Sequence, residues 1–215
     1  MAFCRYFFKQ PSKFKNIYLE LKSSKKDQCQ NAPDSCCLLS MNLTANVFVF
    51  NIQNATGPSS PGFYQIDHIH FFNCHVNVID LAVMLLIRNC IFFNSALNAI
   101  GEGSQSLIIF NCTWSSSGKA KPFQERLQIS KYLRVLIENC NFQNIAAAKS
   151  FPLIVAREMR WLYFKSCMFK KVVGGIIHVY GSQNVNFERL NISLVKHKLT
   201  SFYHGSISVV HTYKA

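Results

Sequence analysis

The feature that most constrains this chain is a short phrase that recurs in order along it. Its copies are Ile69-His-Phe-Phe-Asn-Cys74-His-Val76, Leu85-Leu-Ile-Arg-Asn-Cys90-Ile-Phe92, Leu107-Ile-Ile-Phe-Asn-Cys112-Thr-Trp114, Val135-Leu-Ile-Glu-Asn-Cys140-Asn-Phe142 and Leu162-Tyr-Phe-Lys-Ser-Cys167-Met-Phe169. Two weaker copies flank them, centred on Phe50 and Leu190. The anchors at 50, 74, 90, 112, 140, 167 and 190 are spaced 24, 16, 22, 28, 27 and 23 residues apart, a mean near 23. A chain that repeats at this period builds one small unit per repeat and buries its apolar face by stacking the units into a solenoid.

Within each copy apolar residues fall at −5, −3, 0 and +2 from the anchor. Steps of two belong to strands, whose side chains alternate between faces, and the step of three marks one extra residue between two short strands. That extra residue is a corner. It is Asn73, Asn89, Asn111 and Asn139 in four copies. Asparagine tolerates the left-handed backbone better than most residues with a side chain. Stacked coils would set these amides about 4.8 Å apart, the interstrand spacing, so that they bond as a ladder. Cys74, Cys90, Cys112, Cys140 and Cys167 are expected to stack just inside the same corner.

The phrase Asn139-Cys140-Asn141-Phe142-Gln143-Asn144 resembles the repeat of right-handed parallel β-helix proteins of the pectin-lyase-like superfamily, over roughly residues 45–195. Gly174-Gly175-Ile176-Ile177 is similar to a Gly-Gly-Ala-Ile phrase of repetitive surface β-helices. The Phe-, Asn- and Ile-rich style resembles the large surface β-helix proteins of ciliates and other protists. The resemblance implies an all-β, right-handed parallel β-helix of seven to eight coils, placed at the cell surface or outside the cell.

The competing solenoid is the leucine-rich repeat, which also sets apolar residues at −5, −3 and +2. It requires a further Leu at −8, where this chain has Ile66, Ala82, Ser104, Tyr132, Met159 and Ser182. The strand positions favour Ile, Val, Phe and Tyr, which suit sheet on several faces. Third strands are expected at Asn77-Val78-Ile79, Leu153-Ile154-Val155, at 176–180 and at 206–210, with surface loops at 56–62 and 114–126. Residues 1–40 read as an N-terminal cap or extension and residues 41–215 as the β-helix. The strand-like run 206–213 carries no capping helix after it, so the expectation is a segment of a longer protein.

The chain has 23 Lys and Arg against 10 Asp and Glu, a formal net charge of +13. Between residues 41 and 118 the only basic residue is Arg88, against Asp67, Asp80 and Glu102, so the positive charge is concentrated at the two ends. Such a balance attracts anionic surfaces. The basic residues stand singly between apolar ones, as on solvent-facing strand positions, and no nucleic-acid-binding run or motif is present. The longest apolar stretch, 78–87, contains Asp80 and falls far short of the roughly 20 residues that cross a bilayer. Arg5 and Lys9 interrupt the apolar run a signal peptide needs.

Nine cysteines include the five anchors, read as buried small hydrophobes, and Cys29, Cys36 and Cys37, which would pair on an exported route. No Cys-x-x-Cys or His pair supplies a zinc ligand set, and nothing calls for a cofactor. Sequons occur at Asn42, Asn54, Asn111 and Asn191. The acids are too few and too dispersed for the two facing carboxylates of a glycoside hydrolase. The single catalytic candidate is Asp67 with His68, in Gln65-Ile66-Asp67-His68, which is similar to the Ile-Asp-His phrase of pectate lyases. His178, His197, His204 and His211 are scattered, and Lys170, Lys171 and Arg189 form a candidate anion-binding face. The functional expectation is a non-catalytic β-helix segment, a rigid spacer or a recognition face for polysaccharide or another surface protein. The alternatives are a partial or degenerate polysaccharide lyase or hydrolase, and a leucine-rich interaction module.

Overall fold

The computed structural model describes residues 14–21, 35–52, 63–72, 75–80, 84–103, 105–117, 127–146, 152–195 and 207–210. The chain winds as a parallel β-solenoid. Four strands lead in: β1 (Phe14–Leu21), β2 (Ser35–Ile52), β3 (Phe63–Phe72) and β4 (His75–Asp80). The first full turn then carries β5 (Met84–Arg88), β6 (Ile91–Phe93) and β7 (Ala96–Ile100). Four more turns follow the same plan, beginning at Ser106, Arg134, Trp161 and Asn184, so that about five turns have all three faces as separate strands. The expectation is seven to eight. The difference lies in the leading strands, where β2 and β3 run unbroken past the first corner rather than dividing into two short strands.

Every pairing is parallel. The first face stacks β3, β5, Ser106–Phe110, Arg134–Glu138, Trp161–Lys165 and Asn184–Glu188. The second stacks the end of β3, β6, Thr113–Ser115, Asn141–Gln143, Met168–Lys170 and Asn191–Ser193. The third runs from β1 through β2, β4 and β7 to Ile207–Val210. Residues 14–21 and 35–40, expected in a cap, thus already pair in these ladders. Among the described residues there is no helix, and three strands per turn is the plan of a β-helix rather than of a leucine-rich repeat.

The corners follow from backbone chemistry. At the first corner His68, Asn89, Asn111, Asn139, Ser166 and Arg189 all have φ between 50° and 55°. This left-handed residue turns the chain by one step and lets the following side chain point inward again. The amides of Asn89, Asn111, Asn139 and Ser166 still find a partner in the next turn, as Asn89 N donates to Phe110 O at 3.1 Å and Asn111 N to Glu138 O at 3.0 Å. No ladder hydrogen bond is lost at the bend, and that is what allows turn after turn to stack.

The interior is a set of columns. Leu85, Ile87, Cys90 and Phe92 at −5, −3, 0 and +2 are all buried, as are their counterparts in the next three turns. The +2 column is aromatic: Phe71, Phe92, Trp114, Phe142 and Phe169 stack with centroids 4.5–4.9 Å apart and planes within 18°. Each such ring contributes roughly 1.5–3 kcal/mol of burial. In the last turn Val185, Phe187 and Leu190 are only partly buried against this core.

Register corrects two of the expected anchors. Asp67 pairs with Arg88 and His70 with Ile91, so His68 and Ile69 stand beside Asn89 and Cys90. The turn before Cys90 therefore presents Ile69 to the anchor column, not Cys74; Asn73 and Cys74 themselves lie outside the described residues. Phe50 pairs with Val78 on the third face and is no anchor either. Leu190 does continue the column, because Glu188 pairs with Lys165 and Asn191 with Met168. The third strands at 77–79, 154–155, 177–180 and 207–210 are present. The expected loop at 56–62 and most of that at 114–126 lie outside the described residues.

Candidate functional site

The first corner gathers most of the residues singled out by the sequence. Ile66 and Ile69 point into the core, which leaves Asp67 on the outer side and His68 at the bend. Asp67 is nevertheless covered, its side chain 3% exposed. The register explains the covering, since Arg88 and Asn89 come one turn later at the same height.

Asp67 Oδ2 accepts from Arg88 Nε at 2.9 Å, from Arg88 Nη2 at 2.8 Å and from Gln65 Nε2 at 2.9 Å. Its Oδ1 accepts from Asn89 Nδ2 at 3.0 Å and lies 2.7 Å from His68 Nδ1. A carboxylate withdrawn from water is tolerable only with such a set of donors. Burial opposes the charged form of Asp67, but hydrogen bonds from Arg88 and Asn89 and the charges of Arg88 and His68 outweigh it. The carboxyl is held below its ordinary value of 3.8.

The amides of the corner feed into this carboxylate. Asn111 Nδ2 donates to Asn89 Oδ1 at 2.8 Å, and Asn89 Nδ2 donates onward to Asp67. The bonds of such a chain polarise one another toward the acceptor at its end. Asn139 holds the same left-handed corner two turns after Asn89.

Just inside, Cys90, Cys112, Cys140 and Cys167 are buried free thiols. Each Sγ lies near two carbonyls, one two residues back and one in the preceding turn, as with Cys112 near Phe110 O at 3.4 Å and Ile87 O at 3.6 Å. Ser95 does the same at the second corner, its Oγ 2.9 Å from Phe93 O and 3.1 Å from Phe71 O. A small side chain with one donor therefore serves at either bend. Burial pushes the Cys112 thiol well up, and Cys167 is pushed up by its hydrogen bond with Cys140 and then by burial. Turned into the core and buried, the four thiols serve as packing elements.

The basic candidates are not drawn into one cluster. Lys170 and Lys171 stand at the second corner and Arg189 at the first, separated across the second face by roughly 16 Å at five residues' rise. Arg189 Nε is also 3.3 Å from Glu188 Oε1. His178 lies on the third face, its pKa lowered by burial and then by the charge of Arg157. His197, His204 and His211 lie outside the described residues. Among the described residues no group of three or more His, Cys, Asp or Glu is placed to hold a metal ion.

What the corner can do chemically is limited. His68 is 60% exposed and has its Nδ1 fixed by Asp67, the arrangement that sets the tautomer of a general base. Its neighbours Arg88 and Asn89 offer donors, and the remaining acids are elsewhere. Glu138 and Glu188 share one outward column, but Lys165 stands between them in register and bonds Glu138 at 3.1 Å.

The sequence reading missed Gln65, Arg88 and Asn89 as partners of Asp67. The signal was available, since Asp67 and Arg88 lie 21 residues apart, close to the repeat period. No family model, no curated protein and no solved structure matches the chain. Among the described residues no helix is long and apolar enough to cross a membrane.

Proposed function

We propose that this chain is a non-catalytic segment of a cell-surface or secreted β-helix protein, similar in kind to the pectin-lyase-like superfamily, which holds a recognition face for a glycan or a protein on a rigid rod. The observation that carries this reading is how the outer charges are used. Asp67 with Arg88, and Glu138 with Lys165, bond between successive turns and so bind the rod to itself. The continuous aromatic column supports the rigidity.

The test is to incubate the full chain with polygalacturonate, alginate and neutral polysaccharides, following unsaturated products by ultraviolet absorbance and new reducing ends. The same polysaccharides are then cast into native gels to read retardation of the protein. Retardation without turnover is the expected result, and turnover would overturn the non-catalytic reading.

One observation favours a second reading, a partial polysaccharide lyase. His68, oriented by Asp67 at 2.7 Å, is placed as the base that an elimination next to a uronate requires. Under that reading cleavage of polygalacturonate would vanish in His68→Ala while the fold remained intact.

A further inference from the structure

The outer side of the first face changes character along the rod. Its central column reads Leu86, Ile108, Leu136, Tyr163, Asn186, and the column beside it reads Met84, Ser106, Arg134, Trp161, Asn184. Trp161 and Tyr163 lie two residues apart on one strand, so both point outward. Their ring planes agree within 5° and their centroids are 6.4 Å apart. Inside the rod Phe71, Phe92, Trp114 and Phe142 are each covered by another ring one turn later. Here the next turn offers only Asn184 and Asn186, which pair with Trp161 and Tyr163.

The short side chains leave a step. A groove of about 590 Å³ opens there, at the last turn, lined by Trp161, Tyr163, Gln183, Asn184 and Asn186 and also by Val185, Phe187 and Val209 of that turn's inner side. Among the described residues no Lys, Arg, Asp or Glu lines it. Its chemistry is thus two parallel aromatic planes beside three amides, of which Asn184 already donates to Arg160 O at 3.3 Å. A pyranose ring has the matching form, an apolar C–H face for an aromatic plane and a rim of neighbouring hydroxyls for amides. A nucleic acid would also stack, but its phosphates would meet no cation in the groove.

We propose that this groove is a binding subsite for neutral pyranose units of a glycan chain. The inference rests on the recognition-face reading above and gives that face a place and a ligand class. Trp161 reports on it directly, because the other tryptophan, Trp114, is fully buried in the aromatic column.

The experiment titrates cellohexaose, xylohexaose and chitohexaose into the full chain and follows tryptophan emission. At least one of the three is expected to give a saturable change. Trp161→Ala should weaken its affinity on the order of tenfold or more, read by calorimetry since the reporter is gone. Asn186→Trp keeps the core intact and fills the step by stacking on Tyr163, so it should weaken binding by at least as much. Lys170→Ala, on the second face, should bind like the parent. Binding that survives both Trp161→Ala and Asn186→Trp would overturn the subsite while leaving the recognition reading intact. Silence toward all three sugars, or displacement of the emission change by oligothymidylate or an aromatic peptide alone, would overturn the subsite as well. Retardation of the same protein in polysaccharide gels would then show that the recognition reading had not failed with it.

Discussion

Two acid–base pairs occupy the same outward column of the first face and have opposite standing in the structure. Asp67 and Arg88 are one turn apart, as are Glu138 and Lys165, and both pairs lie at −2 from the first corner's anchor. Asp67 is 3% exposed and receives hydrogen bonds from Gln65, Arg88 and Asn89, whereas Glu138 is 23% exposed and meets Lys165; the two cations are equally exposed, at 42%. Spacing alone does not decide what a cross-turn charge pair does. The deciding factor is what covers it: at Asp67 the corner residue is His68 and the next turn's Asn89 bends its amide back, so the carboxylate is enclosed by donors.

The largest effect should come from removing the enclosed member. Asp67→Ala leaves Gln65 and Asn89 with donors that have lost their acceptor, while Arg88, 42% exposed, can turn to water. The substitution should cost about 1–3 kcal/mol in chemical denaturation, the range for leaving buried donors unsatisfied. A loss no larger than that of a surface substitution would put the two pairs on equal footing and remove the distinction.

Acid sharpens the same comparison. The folded value of Asp67 is depressed, so its contribution is fully present above 3.8 and is lost as pH falls through the folded value. Denaturation midpoints taken over that window should fall more steeply for the parent than for Asp67→Asn. Parallel curves would mean that Asp67 is not held below its ordinary value.

Glu138→Ala should have the smallest effect, at most about 1 kcal/mol and shrinking with added salt, as for half-exposed ion pairs. A salt-independent loss would show that Glu138 is enclosed too.

How much of this was legible depends on which side of the strand a residue faces. The inward columns follow from step lengths, and Leu85, Ile87, Cys90 and Phe92 could be placed from the spelling of one copy. The phrase at 69–76 misled because Asn73-Cys74 repeats the letters of the corner, whereas the register puts the left-handed corner at His68 and the anchor at Ile69. Isoleucine and histidine fill those positions without resembling the phrase, since the column needs only an apolar side chain and the bend only a tolerated φ. Outward contacts were harder. The partners of Asp67 come from the next turn, so they are visible only once the period is aligned there. The groove over Trp161 and Tyr163 depends on what does not cover them, namely the shortness of Asn184 and Asn186 one turn on.

The measurement that most directly tests the solenoid and its register compares neighbouring residues at one corner. Cys140 is buried in the anchor column and Asn139, beside it, is exposed with φ 54°. Thermal unfolding followed by circular dichroism should show Cys140→Asp without a cooperative transition, because a charge is forced into the core. Asn139→Asp should melt like the parent, since aspartate also tolerates the left-handed bend. Two variants that both melt like the parent would contradict the inward column and with it the proposed stacking of turns.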